Sequence, residues 1–382
     1  MDGVEEEARL LSLAAEAAER LAEYNDWAEE HKRLHPEAVK TLQHAEVHRL
    51  FLPASLGGLE VSPGTCARVC EALADGDPAA AWFVMVYNTV RLMAGYWPDD
   101  LVELLWAENP ATLVAASGHT PFQGVRTDTG FVVSGRNSFV SGCHYADFVM
   151  SPMLCDDEPH VVLIPQGSFR IVDNWDTLGM RGTGSNDVIV EGVELPSHLV
   201  IKQTPGTRLG KHYGGQLYRT PMRVVFATYV PVALNLAQRA IDEFERLAAD
   251  KVPYASDSKL KMKTQAQMHF GRAVGKYRAS RQYFMAAMDD VWREAGQGRE
   301  FDDKARADLY LAGTHTLQTC AEVVRHIADA AGSSVTMQQS PLERIARDME
   351  MLRHHGFANE SRYASVAQVL LEAPLDYPLL LR

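Results

Sequence analysis

The sequence predicts an α+β chain of three segments, helical at both ends and strand-rich between. Two patterns predict it. Apolar residues recur at helical spacing up to about residue 112 and again from about residue 219. Between them, short β-branched runs alternate with Gly, Asn and Asp, the mark of strands and turns. These patterns place an N-terminal α-helical domain at 1–112, a central β domain at 113–218 and a C-terminal four-helix-bundle domain at 219–382.

In the first segment Leu10, Leu11, Ala14, Ala17, Ala18, Leu21 and Ala22 mark one helix. His35-Pro36-Glu37 has the form of a helix start, because proline suits a first turn. Phe51-Leu52-Pro53 and Gly57-Gly58 break the pattern. A helix is expected from near Pro63 to Ala74. Asp77-Pro78 opens an apolar segment from Ala79 to Met93, read as a buried helix, and Pro98 and Asp99 open a short one. Strand-like runs follow at 131–135, 148–150, 160–164 and 188–190, and end in a turn-rich stretch from Gly206 to Gly215. Ala237, Ala240, Ile241, Phe244 and Leu247 then share an apolar stripe. Three further helices are expected over 273–292, 304–331 and 342–355.

The 382 residues are 46% hydrophobic and 23% charged, ordinary for a globular chain. Lys and Arg number 37 against 50 Asp and Glu, a net charge of -13. That balance disfavours nucleic acid and anionic membranes as partners. The start, Met1 to Glu7, is acidic and unlike a signal peptide, and no apolar run approaches the roughly 20 residues of a membrane span. Cys66, Cys70, Cys143, Cys155 and Cys320 read as small buried thiols, and a cytoplasmic location is expected. His144, His160, His269, His315 and His326 are scattered without a metal-ligand pattern, so no metal is expected. No G-x-G-x-x-G follows a strand, which excludes a nicotinamide-binding βαβ unit. Gly182-Thr183-Gly184-Ser185 lacks the lysine and following helix of a phosphate loop.

Four motifs in order resemble the acyl-CoA dehydrogenase superfamily across nearly the whole chain. They are the turn Pro53 to Gly58, the run Asp77 to Trp82, the stretch Trp175 to Asp187 and the segment Ser340 to Asp348. The resemblance implies a helical domain, a central antiparallel β-barrel or sandwich and a helical bundle. It also implies a flavin site between the strand domain and the C-terminal helices, in a homo-oligomer, most simply a tetramer.

A dehydrogenase of this superfamily needs a carboxylate to take a proton beside a thioester. One usual place is held here by Gly356, and the other, Arg223 to Tyr229, has no carboxylate. His355 instead falls where the flavin-dependent monooxygenase branch carries a histidine. The resemblance to that branch extends to Lys251-Val252-Pro253-Tyr254-Ala255-Ser256 and the stretch His354 to Phe357. It implies the oxygenase component of a two-component system, which uses reduced FAD or FMN and O2 to hydroxylate a small aromatic or heteroaromatic substrate through a flavin C4a-hydroperoxide. A separate NAD(P)H-dependent flavin reductase would supply the reduced flavin. N-oxygenation of an amine or amino sugar, and an acyl-CoA dehydrogenase with an atypical base, remain as alternatives.

By the same resemblance, His355, Ser141 and His119 are the expected catalytic residues. Ser117, Gly118, Phe139, Ser141, Trp175, Lys251, Tyr254, Gly332 and Ser333 are expected at the flavin, the last two from a neighbouring chain. Trp82, Asn88, Arg91 and His119 are expected to wall the substrate pocket. Read without the resemblance, Phe139 and Ser141 are ordinary strand-to-turn residues, His119 a loop histidine and His355 a helix-end histidine.

Overall fold

The computed structural model describes residues 3–202 and 209–381. Gly206, in the turn-rich stretch, lies outside them, as do Met1, Asp2 and Arg382. By packing, the described chain forms two compact units. One comprises 1–61, 82–177 and 181–219; the other comprises 62–81, 178–180 and 220–382.

The first unit opens with helices α1 (Gly3–Ala22), α2 (Asn25–His31) and α3 (Pro36–His44). Leu10, Ala14, Ala17, Ala18 and Leu21 form the buried stripe of α1. The expected start of α3 is present: His35 Nδ1 accepts the Glu37 N–H at 3.1 Å and Pro36 takes the first turn. Between 62 and 81, in the second unit, run α4 (Pro63–Gly76) and α5 (Pro78–Ala81). Ser62 Oγ caps α4 through the Thr65 N–H at 3.0 Å. In the first unit α6 (Phe83–Met93) and α7 (Asp99–Trp106) follow. The apolar segment 79–93 is thus not one helix. Its bonding shifts at Trp82, whose carbonyl accepts from Met85 at 3.0 Å in a tighter turn.

Among the described residues eight strands make one sheet: β1 (Val114–Ala116), β2 (Phe122–Arg126), β3 (Gly130–Val140), β4 (Phe148–Cys155), β5 (Glu158–Pro165), β6 (Arg170–Val172), β7 (Asn186–Pro196) and β8 (Val200–Lys202). Their order is β6-β7-β3-β2-β4-β5-β8, with β1 also on β4. The sheet is mixed rather than antiparallel throughout, because β4 pairs in parallel with both β1 and β2. Strand β3 departs from regular register twice against β7, the second time between Asn137 and Val140. That bulge positions the site residues described below.

The second unit is built on α8 (Val230–Asp250), α9 (Thr264–Gly296), α10 (Asp303–Ala331), α11 (Pro341–Arg353) and α12 (Arg362–Leu370). The expected four helices are joined by a shorter fifth. Helix α10 is the hub and packs against the other four. Residues 222–250 are the one described stretch apolar and long enough to cross a membrane, and 89% of its apolar window is buried inside the protein, as in a core helix. All five cysteines are buried without disulfides. Burial pushes the Cys143 thiol up to about 12.

Candidate active site

In the first unit, seven of the expected site residues lie around the bulge in β3. Bulges re-aim side chains, and here the backbone of Phe139 takes φ 62°, a left-handed conformation rare for an aromatic residue. The ring is 54% exposed, the opposite of what an aromatic in a strand ordinarily does. Trp175 meets it edge-on with ring centres 6.1 Å apart, and His119 lies 5.2 Å from it on the other loop.

Those two loops are held by buried amides. Asn137 Oδ1 accepts the Thr120 N–H at 3.2 Å, while its Nδ2 donates to Ser117 O at 3.0 Å and Ser151 Oγ at 2.8 Å. Ser117 Oγ donates to Ser138 O at 2.6 Å. The loop carrying Gly118 and His119 is thereby tied to β3 and β4 while both residues stay exposed. His119 Nδ1 contacts Thr120 Oγ1 at 2.9 Å. On the other side Asn186 Oδ1 accepts the N–H groups of Asn174 and Trp175, each at 2.9 Å. Its amide lies 2.8 Å from His144 Nε2, whose pKa burial lowers.

Beside Phe139 runs a chain of hydroxyls. Ser141 Oγ lies 2.7 Å from Ser185 Oγ, which lies 2.9 Å from Thr183 Oγ1. The indole N–H of Trp82 donates to Ser141 Oγ at 3.3 Å. Thr183 and Ser185 are buried, and Ser141 is half-buried at the end of the chain.

Two expected pocket residues are elsewhere. Asn88 is fully buried; it accepts the Phe51 N–H at 2.9 Å and donates to Val47 O and Val84 O, each at 2.8 Å. Arg91 is also fully buried. It donates to Tyr87 O and Pro110 O at 2.7 Å and Thr112 O at 3.1 Å, with its guanidinium over the Tyr87 and Trp106 rings. Both satisfy backbone groups inside the fold.

In the second unit, His355 lies beyond the end of α11. Its N–H reaches Leu352 O at 3.0 Å, a three-residue turn past the last residue of the helix. The Tyr229 ring is 5.4 Å away and the Phe357 ring 5.1 Å. Arg223 lies over the rings of Phe357 and Tyr310. The residue is half-buried by surface area, yet its Nδ1 has no contact with solvent, and desolvation lowers the pKa to about 4. The imidazole is therefore neutral at pH 7. Its neighbour His354 is exposed and sits 3.2 Å from Glu350 Oε1. Gly356 is exposed.

The remaining expected flavin residues form a separate group in this unit. Lys251 Nζ donates to Ala331 O at 2.7 Å and Ser334 Oγ at 2.8 Å of its own chain. A cation there complements the C-terminus of α10. Gly332, with φ 59°, and Ser333 form the turn that follows, and Tyr254 is wholly exposed.

Comparison with known proteins agrees with this architecture. The acyl-CoA dehydrogenase N-terminal domain model matches residues 4–95 and the acyl-CoA dehydrogenase C-terminal domain model matches 227–360, together more than half of the chain. The chain belongs to the acyl-CoA dehydrogenase superfamily. Within that superfamily it is 28% identical over 330 residues to an indole-3-acetate monooxygenase of Acinetobacter baumannii, covering 85% of this chain and 84% of the relative. It is 24% identical over 367 residues to the oxygenase component of p-hydroxyphenylacetate 3-hydroxylase of Acinetobacter baumannii, covering 92% and 85%. Its fold matches XiaF from a Streptomyces species, solved with FADH2 and glycerol, at a TM-score of 0.91 and 19% identity over 99% of this chain and 98% of that one.

Sequence reasoning passed over Asn137, Asn186, Thr183 and Ser185. A signal existed for the first: asparagine is depleted in strands, and Asn137 lies two residues beyond the strand-like run 131–135. The other three sit inside the superfamily stretch from Trp175 to Asp187, where Ser185 and Asn186 reach partners distant in sequence and Thr183 bonds to Ser185.

Proposed function

We propose that this chain is the oxygenase component of a two-component flavin-dependent monooxygenase that hydroxylates a small aromatic or heteroaromatic compound. Its catalytic histidine is His355. The observation that carries the reading is the aromatic niche of His355, a neutral imidazole next to Gly356, the position at which a dehydrogenase would present a carboxylate. Two relatives named as a monooxygenase and as a hydroxylase oxygenase component support it.

The residues present fit a flavin. Its ring system is broad, flat and apolar with a hydrogen-bonding edge. The exposed Phe139 ring, braced by Trp175 and flanked by His119, offers an apolar surface, and Ser141 offers the polar edge. Bound and reduced, the flavin supplies the electrons that activate O2. Phe139 and Trp175 would hold the ring system, with Ser117 and Gly118 shaping the adjoining loop, and the resemblance implies Lys251, Tyr254 and a neighbouring chain's Gly332 and Ser333 near the cofactor's tail. His119 and Trp82 would face substrate. Such a site works by excluding water from a reactive centre.

Hydrogen-bond direction supports the role of Ser141. The Trp82 indole can only donate, so Ser141 Oγ accepts from it. The contacts of Ser185 with Ser141 and Thr183 can run in either direction; in the arrangement where Thr183 donates to Ser185 and Ser185 to Ser141, the Ser141 oxygen accepts twice and its own proton points away from the chain. Ser141 then presents a donor to an acceptor on the flavin edge. The neutral His355 has one ring nitrogen that donates and one that accepts, suited to orienting a substrate hydroxyl or ring nitrogen and moving its proton.

A separate NAD(P)H-dependent flavin reductase would deliver reduced FAD or FMN, and the chain would act in the cytoplasm as a homo-oligomer, most simply a tetramer. The test is oxygen consumption by purified protein with chemically reduced flavin, with and without indole- and phenol-class substrates, with products analysed by mass spectrometry. Incorporation of one oxygen atom from O2 into an aromatic product is expected. Bleaching of oxidised flavin by an acyl thioester in the absence of oxygen would overturn the reading in favour of a dehydrogenase.

A further inference from the structure

Two histidines and an aspartate on different helices of the second unit converge without a part in the site above. His269 lies near the start of α9, and His326 and Asp329 lie three apart on α10, one face of that helix. One ligand atom of each residue lies within 4.8 Å of the other two. The imidazole rings are 5.6 Å apart and tilted by 55°. Both histidines are half-buried and Asp329 is exposed. His269 Nδ1 is cut off from solvent and has no hydrogen-bond partner among the described residues. A buried ring nitrogen without a partner is costly, and a ligand is one way to satisfy it.

We propose that His269, His326 and Asp329 form a surface site for a borderline transition-metal ion of the zinc class, clamping α9 to α10. Two imidazoles and a carboxylate suit zinc, cobalt or nickel; magnesium and calcium prefer oxygen throughout. Ligands at about 2.0–2.1 Å from a tetrahedral ion stand roughly 3.4 Å apart. The donors here need only close in by side-chain rotation. Water would complete the coordination, as in sites with three protein ligands. The ion needs unprotonated imidazoles, and Lys276 and Arg272 lie near enough to His326 to act on it electrostatically. The two nearby cations reduce affinity. Lys276 spends its charge on Glu322 at 2.5 Å, and Arg272 is exposed.

The site is separate from the flavin reading and is tested without turnover. The full-length protein, stripped with EDTA, is titrated with cobalt(II) and then zinc(II). We expect saturable visible absorption from bound cobalt, its loss as zinc displaces cobalt, and a zinc-dependent rise in melting temperature. His269→Gln and His326→Gln should each weaken binding by at least about tenfold, the scale on which loss of metal-site contacts is felt. Asp329→Asn, at an exposed position, should weaken it with no effect on the metal-free melting temperature. His198→Gln, an exposed histidine in the other unit, should bind as the parent does. Absence of saturable cobalt binding, or binding that survives in the His269→Gln/His326→Gln double variant, would overturn the proposal.

Discussion

Asp348 Oδ1 accepts the backbone N–H of Met180 at 2.5 Å, which joins the two most recognisable motifs of the chain. Asp348 is buried, and Arg344 lies 3.9 Å from its other oxygen. Next to it, Arg347 donates to Leu178 O at 2.7 Å. Gly179 lies so close to α11 that a Cβ there would stand 2.4 Å from the Arg347 carbonyl. Both motifs therefore serve the packing of residues 178–180 on α11.

Gly179→Ala should cost stability, because the atoms it would strike are backbone and cannot rotate away. A loss of about 1–3 kcal/mol is expected from overpacking, read by urea denaturation. Asp348→Ala should cost about as much through the buried hydrogen bonds it removes. A Gly179→Ala protein as stable as the parent would mean that the segment is not held as described.

Ser141→Ala should raise the share of reduced flavin that ends as hydrogen peroxide instead of product. The lost hydrogen bond is worth roughly 1–3 kcal/mol at a buried site, which is about tenfold to hundredfold in a rate. Ser185→Ala should shift coupling in the same direction by less, because Ser141 can still turn its proton outward. Peroxide and product assayed together decide it; unchanged coupling in Ser141→Ala would remove the residue from the flavin edge.

His355→Ala should abolish coupled hydroxylation while flavin binding and the fold survive, and His354→Ala should be mild, since that ring is exposed on Glu350. The pH response provides a second readout. With a folded pKa of about 4 against an ordinary 6.5, the unfolded chain binds more protons at His355 between these values. This contribution to stability is full above about pH 6.5 and is lost as pH falls through about 4. His355→Gln should flatten the decline of melting temperature over that window. An unaltered profile would place the ring in a wetter setting than the structure does.

Asp77 behaves in the opposite sense. Burial raises its carboxyl pKa from 3.8 to about 6, against the pull of Arg344. Between these values the folded chain binds more protons, so stability at this site falls as pH rises through about 6. Asp77→Asn keeps an oxygen for the Ala79 N–H, which Asp77 now holds at 2.8 Å. It should stabilise the protein at pH 8 by an amount on the order of 3 kcal/mol and have little effect near pH 4. Equal melting temperatures for parent and variant at pH 8 would count against the burial of an ionised carboxylate there.

The order of helices and strands was legible because periodicity is a local property, and His35 and Pro36 announce α3 within three residues. What escaped depends on partners far along the chain. The parallel pairing of β1 and β2 with β4 has no local signature. Asn88 and Arg91, polar residues in an apolar helix, invite a pocket reading, yet their bonds run to Phe51, Val47, Pro110 and Thr112. His355 could be located by its place after the Arg347-Asp348 pair, but its charge state follows from the rings of Tyr229 and Phe357 that surround it.

The left-handed backbone at Phe139 has a bearing on how this protein could be engineered. Strain of that kind is relieved by glycine, which adopts positive φ freely. Glycine at 139 would also delete the exposed ring. Substitutions there should rank in one order by melting temperature and in the reverse order by turnover, the familiar trade between robustness and activity compressed into a single position. A stabilisation campaign guided by heat resistance alone would select the inactive variants first.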